Sequence, residues 1–246
     1  MKNSNRLSMA VFCALLMASL FSGCKKETTS NNLTADDAAD AISYATASGT
    51  GGLSAQVSST ASYSSAQGVY KTDNGNSTTL TCGVPFDTAI NYTYTGVTTA
   101  NYSSQWAYLL TCNGQLSQSL SLTGSYNGNY DAARISSTNS GNRTWTLSGL
   151  DLNTSTPYTF NGTFTRTGSH TSKVRNRYTY TVNMTITLTN LTVSKTTYQI
   201  TGGTGTVVMT GNVSNGNSYS FNGDIVFNGN GNATLTINGN IYSITL

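Results

Sequence analysis

The sequence of 246 residues is short of charge, nearly free of proline and holds one histidine: 21 side chains are ionic, two residues are Pro, and His170 stands alone. Scarce charge argues against the highly charged, weakly hydrophobic class of disordered chains. It also argues against a coiled coil, whose flanking positions carry ion pairs. Leu, Ile, Val and Phe number only 47, at the low edge for a globular protein, and leave no material for several membrane spans. A net charge of +3 is too small for a nucleic-acid-binding surface. What is present is Thr (42), Ser (32), Asn (27) and Gly (24), together half of the chain. Thr and the 15 Tyr favour strands, and Asn and Gly favour turns, so composition predicts an all-β protein rather than a helical enzyme.

The N-terminus reads as an address. Lys2 and Arg6 precede an apolar run from Leu7 to Phe21, which is too short to span a bilayer and has the form of a signal-peptide core. It ends in Leu20-Phe21-Ser22-Gly23-Cys24. Small residues before a cysteine resemble the lipobox of bacterial lipoproteins, although Phe21 stands where Leu is usual. The resemblance implies cleavage before Cys24 and acylation of Cys24, hence a lipid-anchored protein of the cell envelope, at the outer membrane. The mature chain would carry 10 − 9 = +1 side-chain charges. Residues 24–33 form a polar tether. Glu27 is its only acid, too little to match an acidic surface-export signal, so the membrane face stays open. As a whole the chain resembles the Thr/Asn/Gly-rich secreted lipoproteins of Bacteroidota.

Cys13 lies in the signal, which leaves Cys82 and Cys112 to pair with each other in an oxidising compartment. Residues 34–66 are expected to be helical. Thr34 can cap a helix over 34–47, with Asp36 and Asp37 in its first turn and Ala38, Ala41, Ile42 and Ala45 on one face. A second helix is expected over Leu53 to Ser62. Residues 67–246 then alternate with period two and are punctuated by nine Asn-Gly dipeptides, among them 113–114, 127–128 and 238–239. Such dipeptides suit type I′ turns. The expected fold is a single antiparallel meander of about eleven strands, curled, open-barrelled or two-layered. Its clearest strand runs from Lys173 to Thr189, with a bulge expected near Asn190.

Candidate chemistry is thin. No phosphate loop, calcium loop or zinc spacing occurs, so neither metal nor cofactor is expected. His170 lies among basic residues in what reads as a solvated hairpin tip, with no carboxylate nearby in sequence. Asp73, Asp87, Asp131, Asp151 and Asp224 are scattered, and a glycosidase would need two of them to converge. The sharpest electrostatic feature is an acid-free stretch from Leu152 to Gly223 holding Arg166, Lys173, Arg175, Arg177 and Lys195. Lys173, Arg175 and Arg177, with Arg166 nearby, would form a strand face able to dock lipopolysaccharide phosphates, anionic headgroups or acidic glycans. They could equally be charges that keep strand edges from pairing. Asp87-Thr88-Ala89 resembles the acceptor of Bacteroidota O-glycosylation and implies a sugar on Thr88 in an accessible turn. Exposed Tyr92, Tyr94 or Tyr126 could stack on sugars. The functional expectation is a non-catalytic envelope protein that binds a glycan or other surface ligand, or has a structural role. A lipid carrier with an apolar groove is the second reading.

Overall fold

The computed structural model describes residues 32–66, 80–114 and 116–246. The signal, Cys24, most of the tether and Asp73 lie outside these residues. Helix α1 spans Ala35–Thr46 and α2 spans Leu53–Ala66, four residues longer than the pattern predicts, with a 3₁₀ turn at Ser48–Thr50 between them. Thr34 caps α1 reciprocally: its hydroxyl accepts from the Asp37 amide, and the Asp37 carboxylate accepts from the Thr34 amide, both at 3.2 Å. Ala38, Ala41, Ile42 and Ala45 of α1 are buried, as are Leu53, Gln56, Val57 and Thr60 of α2. Neither helix is long and apolar enough to cross a membrane.

Ten strands follow: β1 (Pro85–Thr95), β2 (Thr99–Asn113), β3 (Leu116–Asp131), β4 (Ile135–Ser148), β5 (Tyr158–Ser172), β6 (Thr179–Val193), β7 (Ile200–Asn212), β8 (Ser218–Gly229), β9 (Asn232–Ile237) and β10 (Asn240–Thr245). Each pairs antiparallel with the next, giving one meander sheet that is not closed. The edge strands are bridged by the 3₁₀ turn instead. Tyr92 Oη of β1 donates to the Ser48 carbonyl (2.7 Å), and Ser48 Oγ donates to the carbonyl of Leu246 after β10 (3.3 Å). The Cys82–Cys112 disulfide ties the approach to β1 onto β2.

One face of the sheet is packed with large side chains, and aromatic rings repeatedly sit opposite glycine. Tyr102 faces Gly128, Trp106 faces Gly124, Tyr126 faces Gly141, Trp145 faces Gly162 and Tyr219 faces Gly211. A Cβ on Gly141 would meet Tyr126 Oη at 2.6 Å and would collide with the Thr165 carbonyl. The ring lies where the missing side chain would be. This explains a departure from the sequence reading. Asn113-Gly114 and Asn238-Gly239 are turns, but Asn127-Gly128 and Asn161-Gly162 lie inside β3 and β5, where glycine is needed for close approach.

A second departure concerns the longest expected strand. Lys173 to Arg177 belong to the β5–β6 turn, with Arg175 and Arg177 at φ of 50° and 53°, and β6 begins at Thr179. Two left-handed residues cannot continue a pleated strand. The expected slip at Asn190 is present: φ is 50°, the register shifts, and Leu191 and Val193 are buried.

Gly141→Ala should lower unfolding free energy by about 2–3 kcal/mol through overpacking. Gly202→Ala, where the nearest atom is Thr192 Oγ1 at 3.2 Å, should cost under about 1 kcal/mol; chemical denaturation of both variants checks the contrast. Replacing Cys82 and Cys112 by Ser should cost roughly 3–4 kcal/mol, the loop entropy of a bridge of this span, read by denaturation with and without reductant.

Candidate functional site

The expected basic face does not form. Arg166 lies on the inner face of β5 and is fully buried. Lys173 pairs with Asp131. Arg175 bonds Asp37 at 2.8 Å and Asp40 at 2.6 Å, and Arg134 also reaches Asp40 at 2.9 Å. The acids that neutralise this turn come chiefly from α1, more than 130 residues away in sequence. Of the four expected cations, only Arg177 is exposed and has no ion pair among the described residues.

The buried cations do structural work at the helices. Arg166 Nη1 donates to the Tyr44 carbonyl at 3.2 Å, in the last turn of α1. That turn has no basic residue of its own, so a cation from the sheet caps the negative end of the helix. Tyr102, Tyr126, Tyr130 and Phe164 surround the guanidinium at 5.6–6.0 Å. Burial pushes the Tyr126 phenol up to about 12, against the opposing charge of Arg166. Arg143 hooks the other helix: Nη1 donates to Gln56 Oε1 of α2 at 2.7 Å, Nη2 donates to the Gln105 carbonyl at 3.1 Å, and its carbon sits 3.4 Å over the Trp106 ring. Burial lowers its pKa to about 10, so it stays charged at neutral pH.

His170 is not at a solvated tip. It is buried in β5 between Tyr130 (6.2 Å) and Tyr180 (5.6 Å), and neither ring nitrogen has a hydrogen-bond partner. Burial, then the charge of Arg166, lowers its pKa to about 3. It is a neutral core residue with no carboxylate to orient it as a base.

The aspartates are dispersed. Asp131 and Asp151 lie at opposite ends of the sheet, and lysines engage both: Lys173 pairs with Asp131, and Lys195 bonds Asp151 at 2.9 Å, lowering the Asp151 pKa. Asp87 lies within β1, not in a turn, and Asp224 within β8, with β2 to β7 between them in sheet order. Among the described residues no three His, Cys, Asp or Glu side chains converge on a metal position. Thr88 also lies within β1 rather than in an accessible turn; it is half-buried, and its hydroxyl is engaged by Tyr63. Tyr126 is buried, Tyr92 is half-buried and Tyr94 alone of the three is exposed.

The opposite face of the sheet carries the chemistry that remains. Outward positions of β4 to β7 are Thr, Ser and Asn, with Val208 the one apolar exception and no charged group. The ladder aligns Thr123, Thr144, Thr163, Thr187 and Thr206 on five successive strands. Their spacing is that of neighbouring strands, ~4.8 Å. Beside this row a shallow depression of about 440 Å³ is lined by Asn127, Asn129, Thr138, Ser140 and Thr167, where Gly128 and Gly168 present bare backbone. It offers amide and hydroxyl donors and acceptors without charge. Comparisons with family models, with curated proteins and with solved structures returned no match.

The buried histidine has a measurable consequence. Folded His170 titrates near 3 and unfolded His near 6.5, so between these values the unfolded chain binds one proton more. Stability should be full above pH ~6.5 and fall with acidification, by roughly 2–3 kcal/mol at pH 4.5. With one histidine and only one Glu in the chain, the upper part of this window belongs to His170. His170→Gln should flatten the profile between pH 6.5 and 4.5 in urea denaturation; an unchanged slope would assign the proton elsewhere.

Proposed function

We propose that the chain is an exported lipoprotein, anchored through Cys24 to the outer membrane, whose β domain is a non-catalytic module for neutral glycans. The observation that carries this reading is the uncharged Thr/Ser/Asn face of β4 to β7, with its amide- and hydroxyl-lined depression. A neutral polysaccharide offers repeated hydroxyls and needs no counter-charge, and such a face can bond it at many weak points. Acidic ligands fit less well, because Lys173 and Arg175 are already paired and Arg166 is buried. The apolar side of the sheet is packed with aromatic rings and covered by α1 and α2, which speaks against a lipid-carrier groove there.

The test is a panel of neutral and acidic glycans presented to the oxidised mature chain at low and high salt. Neutral glycans should bind equally at both salt concentrations, since no ion pair contributes. An Asn127→Ala/Asn129→Ala variant with unchanged thermal stability should lose about tenfold in affinity, the equivalent of one or two net hydrogen bonds. Binding confined to acidic glycans and abolished by salt would refute the reading, as would silence across the panel.

A further inference from the structure

We propose that the end of the sheet carrying the β1–β2, β3–β4, β5–β6, β7–β8 and β9–β10 turns is a membrane-facing surface, resting against the headgroups of the bilayer that holds the anchor. This rests on the acylation of Cys24 argued above and adds an orientation to it.

The described chain begins at this end. Asn217 Nδ2 in the β7–β8 turn donates to Asn32 Oδ1 at 2.8 Å. Two residues on, Thr34 caps α1, and the first turns of that helix are fastened to the same end. Asp37 and Asp40 bond Arg175 in the β5–β6 turn, Asp40 bonds Arg134 next to β4, and Tyr242 Oη of β10 donates to Asp36 at 2.9 Å. The entry point is therefore fixed by side chains from four turns or strand ends. Asn32 is eight residue steps from Cys24. Covalent geometry limits eight steps to ~29 Å at most. Strands of 13–16 residues, as β2 to β7 are, put the opposite end ~45 Å or more away. A protein held by Cys24 thus keeps this end near the lipid and the other end at a distance.

The surface chemistry suits that position. Val97 in the β1–β2 turn is 94 % exposed. Side chains of this size can enter the headgroup boundary without a helix or a strand crossing it. Arg177 is exposed in the β5–β6 turn at the same end of the sheet, and among the described residues it is the cation there without an ion pair. The remaining basic groups, Arg134, Lys173 and Arg175, are balanced by Asp36, Asp37, Asp40 and Asp131. Contact should therefore depend on the anchor and the Val97 tip more than on lipid charge. Leu116 (69 % exposed) and Leu152 (59 % exposed) lie at turns of the far end and serve as the internal comparison.

The experiment uses the lipidated full-length protein in vesicles of phosphatidylcholine with a minority of phosphatidylglycerol. Val97→Cys and Leu116→Cys variants each supply a single free thiol, since Cys82 and Cys112 are bridged, Cys24 is acylated and Cys13 leaves with the signal. Each is labelled with an environment-sensitive fluorophore, and headgroup-level spin-labelled lipid is the quencher. Quenching should be several-fold stronger at position 97 than at 116. Equal or reversed quenching in protein whose Cys24 peptide carries the acyl mass would overturn the orientation while leaving the anchor intact. Absence of that acyl mass would overturn the anchor, and the orientation with it.

Discussion

Ten strands in one sheet leave one whole face to be kept from water, and the described chain has two helices of 12 and 14 residues to help cover it. The rest of the structure follows from that shortage of cover. Two short helices cannot reach every strand, so the sheet supplies much of its own apolar volume from Trp, Tyr and Phe side chains. Some rings sit opposite large side chains, as Tyr108 does opposite Leu122 and Phe164 opposite Ile186, but five lie opposite a residue with no side chain, which leaves room for them on a crowded pleat. These residues are the glycines facing Tyr102, Trp106, Tyr126, Trp145 and Tyr219. A chain poor in Leu, Ile and Val thus builds a core from rings and bare backbone, and its high glycine content has a packing reason as well as a turn reason.

The same shortage accounts for the two buried arginines. Helices α1 and α2 present mainly alanine, serine and threonine, which pack closely but hold weakly. Each helix receives one buried guanidinium from the sheet: Arg166 at the last turn of α1, Arg143 at Gln56 of α2. Neither arginine has a carboxylate partner in the core. Their charge is met by carbonyl and amide oxygens and by ring faces, interactions that demand one docking position of each helix. Burying a charge this way is poor for raw stability and good for specifying a unique arrangement. Here that means choosing where a small, nearly featureless helix sits on a large sheet.

Period-two alternation made the sheet, its antiparallel order and the slip at Asn190 legible in the sequence, and spacing made the two helices and their buried faces legible. The candidate site was misread for a specific reason. Arg166 and His170 are in phase with Phe160 and Phe164, so alternation places both on the inner face, whereas their charge and polarity argue for solvent; burial follows the phase. Arg143 is in phase with Trp145 and Leu147, a signal the sequence reading does not use. Lys173, Arg175 and Arg177 failed differently. Alternation continued through the turn by accident of composition, and nothing local marks two arginines as left-handed. The partners of Arg175, which are Asp36, Asp37 and Asp40, are brought to it only by the docking of α1, a long-range event that a reading along the chain does not contain.

The distribution of charge is the last consequence. Ion pairs are gathered at the two ends of the sheet: Asp36, Asp37, Asp40 and Asp131 with Arg134, Lys173 and Arg175 at one, Asp151 with Lys195 at the other. There they fasten α1 or fix loops. The broad outward face between is left to hydroxyls and amides. An ordinary soluble surface is a quarter or more charged, and a β-rich protein without such charge risks pairing with its neighbours. Two features offset that risk here. Among the described residues the sheet's edges are β1 and β10, where the 3₁₀ turn at Ser48 binds across the gap, and the outward rows of β4 to β7 carry Thr, Ser and Asn, with Val208 the one apolar residue. A face kept neutral over four neighbouring strands, in a fold that uses its few charges elsewhere, is suited to a ligand that is itself neutral, extended and repetitive.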